Sequence, residues 1–275
     1  LARERLLAAA IRAVPELAFV RRERRRHALG NGESEVEVGA ESRFPEEAEA
    51  AVVFDEHSVP ARGTNKTLNR ATCMAPVPLA LLDELGLGEL EHGAPVWEGG
   101  SLYVERRRHY AGRVIATETT VPQGAVLRGA VAELILAGRL KAPAGERLQE
   151  DVDAWNLYLA LGHGEGAPQE SAAWLERRLA SLGVESASDL ELIEPDDLCF
   201  EGIPAWERER FDGKYPRRVE LANLSMTVHY EPHRRRVTLE RRAGKRRTPP
   251  MLKELPVWSG WSVRYRDASR VVTIK

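Results

Sequence analysis

The sequence predicts an α+β chain: a small OB-like β-barrel, then a helical region, then a terminal antiparallel β element. Three observations predict this order. Five short segments between residues 17 and 77 carry strand-like apolar runs or period-two alternation, separated by turn residues. From residue 124 the apolar spacing lengthens to that of helices, and from Tyr215 it returns to two. Nowhere does a strand–helix–strand repeat call for a parallel doubly wound sheet.

The elements follow from local pattern. Leu6, Leu7, Ala10, Ile11 and Val14 share a helical face that Pro15 closes. Residues 16–39 ("ELAFVRRERRRHALGNGESEVEVG") read as two strands, a Gly30–Gly32 turn and an alternating third strand. "AAVVFDEHSV" and "TLNRATCMAPV" supply two more, enough for a small barrel. Pro76 and Pro78 precede a short helix on Leu79, Leu82 and Leu85, and residues 101–121 form a hairpin turning at His109–Gly112. Three helical stripes follow: Leu127, Val131, Leu134 and Ile135; then Leu148, Val152, Trp155 and Leu159; then Trp174, Leu175, Leu179 and Leu182. At least one more short helix lies in residues 186–211, and strands around Val219, Val228 and Val237 precede a hairpin at Asp267–Ser269. The expected division is therefore 1–16, the last helix of something upstream; 17–123, the barrel with its helix and hairpin; 124–212, helical; and 213–275, β-rich.

Charge separates the helical and the β-rich regions. Residues 146–212 hold 17 acidic against 5 basic side chains, and residues 213–275 hold 16 basic against 5 acidic, in a chain whose net charge is −2. A basic end raises the expectation of a polyanionic partner. The alternative is that the two segments face one another within the molecule. Apolar runs reach only about six residues, against the roughly 18 a membrane span needs, so no membrane partner is expected. Cys73 and Cys199 stand alone in apolar surroundings, which suits a reducing, cytoplasmic setting and predicts buried thiols. The chain opens "LARERLL" without Met and reads as a piece of a longer polypeptide.

"VVFDEH" (52–57) resembles a Walker B strand, whose acids would reach magnesium and water. No GxxxxGK[ST] cradle exists to hold phosphates, and the helicase box spaces its His one residue further on. The segment is expected to be a barrel strand running into a polar loop, and no cofactor is expected in this chain. GxSxG and paired Cys/His spacings are absent too, and Asp196-Asp197 fit a helix start better than a metal site. A hydrolase built on scattered carboxylates stays open as a minor reading.

Four arginine-rich runs carry the chemical suggestion: 21–26, 105–109, 233–236 and 241–247. Each falls at a strand end or turn, where guanidinium forks reach phosphate oxygens. Arg21, Arg22, Arg25, Arg106, Arg107, Arg235, Arg236 and Arg247 are the candidate nucleic-acid contacts, with no catalytic or metal-binding residue among them. Tyr103, Tyr110, Tyr230, Trp258 and Trp261 are candidates for stacking on unpaired bases, with core packing as the alternative.

The chain also resembles a family. Pro15, Val20, Arg21, Arg22, Leu29, Asn31 and Gly32 are similar to the junction where bacterial DEAH-box RNA helicases of the HrpB type pass from their helical bundle into an OB-fold. Ala75, Pro76, Leu79 and Leu82 resemble the following strand and helix entry. Trp97, Val104, Arg106, Arg107, Gly112, Ile115 and Glu118 resemble the family's hairpin, and "DLELIEPDDL" a helical stretch. The likeness spans most of residues 1–210, and the final basic strands depart from it. It implies a non-catalytic accessory region holding RNA or single-stranded DNA beside motor domains of the same polypeptide, with ATP and Mg in that parent. The alternative is a protein-interaction or regulatory scaffold that docks the helicase core or a partner.

Overall fold

The computed structural model describes residues 2–39, 42–60 and 67–274. The chain divides into two compact units, 1–122 and 123–275.

In the first unit, helix α1 (Ala2–Ala13) buries Leu7, Ala8 and Ile11, and Pro15 breaks it into a 3-10 turn. Five strands then close a barrel: β1 (Ala18–Arg21), β2 (Ala28–Gly30), β3 (Glu35–Val38), β4 (Ala50–Pro60) and β5 (Thr67–Val77), in the order β1-β2-β3-β5-β4. The β3–β5 pairing is parallel and the others antiparallel, the OB-like arrangement expected. Period-two geometry splits the apolar residues between two clusters. Phe19, Leu29, Val36, Ala51 and Val53 form one with Ala71. Ala18, Val20, Ala50 and Val52 join Leu7, Ile11 and Leu82 in the other. Both faces of β1 and early β4 are covered, which is why "AFV" and "AAVV" are unbroken apolar runs. The β2–β3 turn is fixed by Asn31, whose Oδ1 accepts from the amides of Glu33 and Ser34 at 3.0 and 2.8 Å, with Gly32 at φ 100°.

β4 and β5 correct one expectation. The chain does not enter a loop at Asp55; it stays in strand to Pro60, paired with β5 through register shifts beside Asp55. Beyond Val53 the side chains are mostly exposed, so two strands outlast the core that supports them. Helix α2 (Leu79–Glu84) buries Leu82. A second sheet follows, with β6 (Glu89–His92), β7 (Val96–Glu98) and β9 (Arg113–Thr120) all pairing the long β8 (Ser101–Tyr110). Ala111 and Gly112 both take positive φ, 49° and 77°, in the two-residue β8–β9 turn.

The second unit opens with α3 (Gly124–Leu136), α4 (Ala144–Ala160) and α5 (Ser171–Ser181), the last capped by the Glu170 carboxylate on the amides of Ala172 and Ala173. Two 3-10 turns follow, the second (Pro195–Leu198) placing Asp196 and Asp197 in its first turn, with Asp197 accepting from the Glu194 amide. After α6 (Ala205–Lys214) come β10 (Arg218–Leu221), β11 (Leu224–Glu231), β12 (Arg236–Ala243), β13 (Ser262–Asp267) and β14 (Arg270–Thr273), adjacent in that order. All pairings are antiparallel except β12–β13, which the long 244–261 connection makes parallel. Ala154, Leu157 and Tyr158 of α4 and Phe211 of α6 share one core with Val219, Met226, Val237, Leu239, Val263 and Tyr265. The expected boundary at 212/213 therefore runs through a single continuous core.

The 244–261 connection is held by Arg246, whose two Nη atoms each meet Glu254 at 2.9 Å, while the Met251 amide donates to the same carboxylate at 2.7 Å. The Arg246 bond first, then that amide, brings the Glu254 carboxyl down from 4.5 to about 2. A depressed carboxyl stabilises the fold above its unfolded value and loses that contribution as pH falls toward its folded one. Protection factors for the amides of 244–261, which divide out the pH dependence of intrinsic exchange, should therefore stay high at pH 5 and fall between about pH 4.5 and pH 2. Glu254→Gln should show the lower protection already at neutral pH; unchanged protection would refute the clamp.

Candidate nucleic-acid interface

The β1–β2 connection, residues 22–27, holds four arginines and a histidine, and its cations are not equivalent. Arg21 precedes it and is 5% exposed. Its Nε donates to the Ala48 carbonyl at 2.7 Å, Nη2 to Pro45 at 3.1 Å and Nη1 to Arg26, with Phe44 beneath the guanidinium at 5.5 Å. Burial lowers its pKa, against the raising influence of Glu49. Arg21 is a packing cation that cannot reach a ligand as placed. Arg22 gives Nε to Glu35 at 3.2 Å and Nη1 to the Ala111 carbonyl at 2.5 Å, pinning the loop to the β8–β9 turn. Arg25 contacts Glu35 and Glu37, His27 contacts Glu37, and Arg26 contacts Glu49, which Arg113 also holds. The Arg113 bond is the main cause of that carboxyl's lowered pKa. Arg24, absent from the sequence-based candidates, is exposed with no ion pair among the described residues.

The β4–β5 arm carries Asp55, Glu56 and His57 into solvent. Asp55 accepts from the Thr72 hydroxyl at 2.9 Å, and Ser58 bonds Asn69 at 2.8 Å. Residues 61–66, between these strands in sequence, lie outside the described residues; they include Arg62 and Lys66. Cys73 on this arm is exposed, and so is Cys199 after the Pro195–Leu198 turn. Both correct the expectation of buried thiols: an apolar local sequence does not bury a side chain on a two-stranded arm or at a turn end.

Arg106 and Arg107, on β8, are likewise engaged. Arg106 meets Asp83 of α2 at 3.3 Å and Glu118 of β9 at 2.9 Å; Arg107 pairs with Glu105. Arg108, not among the candidates, meets Asp83 at 2.6 Å. Arg106 and Arg108 fasten the helix to the sheet through Asp83. Tyr110 is structural too, its hydroxyl donating to the Ala18 carbonyl at 2.8 Å, with burial pushing it up to about 12.

In the second unit, Arg236 pairs with Glu231 at 3.5 Å, whereas Arg235, held at φ 44°, and Arg247 are exposed without an ion pair among the described residues. The aromatics chosen for stacking there turn inward. The Trp258 indole donates to the Tyr230 hydroxyl at 3.2 Å, that hydroxyl donates to Pro216 at 2.8 Å, and Trp261 packs edge-on against Tyr230. Among the described residues, no group of three or more His, Cys, Asp or Glu is placed to hold a metal ion, and no helix is long and apolar enough to cross a membrane.

No protein-family model matches the chain, and no curated protein matches it. Two solved Escherichia coli structures are similar. One is described as the DExH-box NTPase HrpB, with a TM-score of 0.35, 13% identity, and coverage of 97% of this chain and 33% of that one. The other is described as the DEAH/RHA helicase HrpB, with a TM-score of 0.33, 14% identity, and coverage of 83% and 29%. The chain thus spans about a third of the length of the structures it matches.

Proposed function

We propose that this chain is a non-catalytic accessory region of an ATP-dependent DEAH-type helicase, in which the barrel holds RNA or another single-stranded nucleic acid beside motor domains of the same polypeptide. The observation that carries the reading is where the barrel puts its cations. OB barrels bind oligonucleotides with the β2–β3 face and the β1–β2 and β4–β5 loops. Here the β1–β2 loop holds Arg22, Arg24, Arg25 and Arg26. Arg25 and Arg26 are 52% and 70% exposed, and ion pairs in that setting contribute only about 0–1 kcal/mol, so phosphate competes with Glu35, Glu37 and Glu49 on nearly equal terms. ATP and Mg belong to the proposed parent.

Fluorescence anisotropy with a labelled single-stranded RNA at two ionic strengths tests this. Affinity should fall steeply as salt rises, and Arg24→Glu with Arg25→Glu should lower it at least about tenfold at low salt. Absence of binding at low salt would remove the reading. A second reading, a protein-docking scaffold, is favoured by the carboxylates that close on most of the candidate arginines. Charge reversal at Arg234–Arg236 that leaves RNA affinity intact and abolishes docking to the motor domains would select it.

A further inference from the structure

Arg218 at the start of β10 and Arg242 near the end of β12 reach the same atom, Oε1 of Glu146 in the first turn of α4, at 2.5 and 2.9 Å. Arg218 also pairs with Glu150, one helical turn onward. Two guanidinium forks converging from different strands on one anionic oxygen form a geometry that suits phosphate as well as carboxylate. The contacts stand at a half-open cleft of about 570 Å³, lined further by Asp153, Arg217, Thr227 and His229. Arg217 pairs with Asp212, yet its Nη1 is buried and meets no hydrogen-bond partner among the described residues. Buried guanidinium nitrogens ordinarily have partners.

The carboxylates in this cleft are weakly held. Glu146 is 50% exposed, Arg242 46% and Arg218 37%, the range in which an ion pair contributes little. Arg218 and Arg242 draw the Glu146 carboxyl below its usual range, Arg218 having the larger influence, so it is ionised and competes with any incoming anion. A cleft of this volume admits a nucleotide-sized group.

We propose that this cleft is a phosphate-binding site which Glu146 and Glu150 fill in the free protein and from which a phosphate displaces them. Arg218 and Arg242 then hold the phosphate, with Arg217 Nη1 as a further donor. The phosphate belongs either to a free nucleotide or to a nucleic-acid chain.

The test compares the whole chain with Glu146→Gln/Glu150→Gln, titrated with tripolyphosphate, ATP and a short single-stranded RNA, with melting temperature as the check on folding. Tripolyphosphate affinity should rise about tenfold in the Gln variant, and adding Arg218→Gln/Arg242→Gln should abolish that gain. Unchanged tripolyphosphate affinity in a folded Gln variant overturns the proposal, as does a gain that survives loss of both arginines. If the arginine variant fails to fold, Arg218→Lys/Arg242→Lys keeps the charge, removes the fork and should still lose most of the gain. A parallel gain for RNA assigns the site to a nucleic-acid backbone; a gain confined to tripolyphosphate and ATP assigns it to free nucleotides. The outcome is separable from the barrel reading: RNA binding lost through Arg24 and Arg25 with no tripolyphosphate effect overturns the cleft alone, and the converse overturns the barrel alone.

Discussion

Replacing Arg21 with methionine is expected to lower the stability of the barrel by about 2–4 kcal/mol, because hydrogen bonds from a charged donor each contribute roughly 1.5–3 kcal/mol and their loss is only partly offset by water. Methionine retains much of the apolar stem, so the loss reports the guanidinium rather than a cavity. Three carbonyls, Ala48, Pro45 and Arg26, would lose their donor together. These anchor the approach to β4 and the β1–β2 loop, so hydrogen exchange should accelerate in β1, β2 and early β4 as one unit. Arg21→Lys keeps the charge but reaches fewer of the three carbonyls and should recover only a fraction of the loss. Arg24→Glu, three residues away and without an ion pair among the described residues, should leave barrel exchange unchanged while lowering RNA affinity. Equal effects of Arg21→Met and Arg24→Glu on exchange would refute the distinction between a packing cation and a contact cation.

That distinction marks the limit of what the sequence disclosed. The barrel was legible because its signals are local: alternation in "SEVEV", a turn at Asn31-Gly32, and unbroken apolar runs where both strand faces are covered. The strands β6 and β7 were not, since "ELEH" and "VWE" are only four and three residues long and too exposed to show a period. Arginine clusters were legible as clusters, but their partners were not. Arg106 finds Asp83 across 23 residues, and Arg218 finds Glu146 across 72. No local rule links such positions, so a run that reads as unspent positive charge turns out to be mostly spent. The inward turn of Tyr230 and Trp258 was hidden for the same reason: they lie 28 residues apart and meet only because the 244–261 connection returns β13 to the edge of β12. Opposite charge in residues 146–212 and 213–275 left contact between them as the alternative to a polyanionic partner, and Glu146 with Arg218 and Arg242 is one place where such contact occurs.

Gly145 is where sterics should overturn helix propensity. It lies in the first turn of α4, buried, where alanine would ordinarily stabilise a helix by up to about 1 kcal/mol. A Cβ there would overlap the Ile135 carbonyl and come within 2.9 Å of the Leu136 Cα, and both obstacles are backbone of α3. Backbone cannot rotate aside, so Gly145→Ala must push the start of α4 away from α3, an overpacking cost of about 1–3 kcal/mol that exceeds the propensity gain. Gly145→Val should cost more. Gly129, in the middle of α3, provides the internal control: a Cβ there meets only the Glu176 carboxylate, at 3.6 Å, an ordinary contact at the end of a flexible side chain. Gly129→Ala should therefore raise the melting temperature and Gly145→Ala lower it. Five of the six tryptophans lie in the second unit, so intrinsic fluorescence follows the transition concerned. The displacement should also reach the neighbouring residue, because Gly145 sets the position from which Glu146 meets Arg218 and Arg242. Gly145→Ala should thus loosen that carboxylate and raise tripolyphosphate affinity in the same direction as Glu146→Gln, though less. A Gly145→Ala protein as stable as Gly129→Ala would show that the two helices are not in backbone contact at this point.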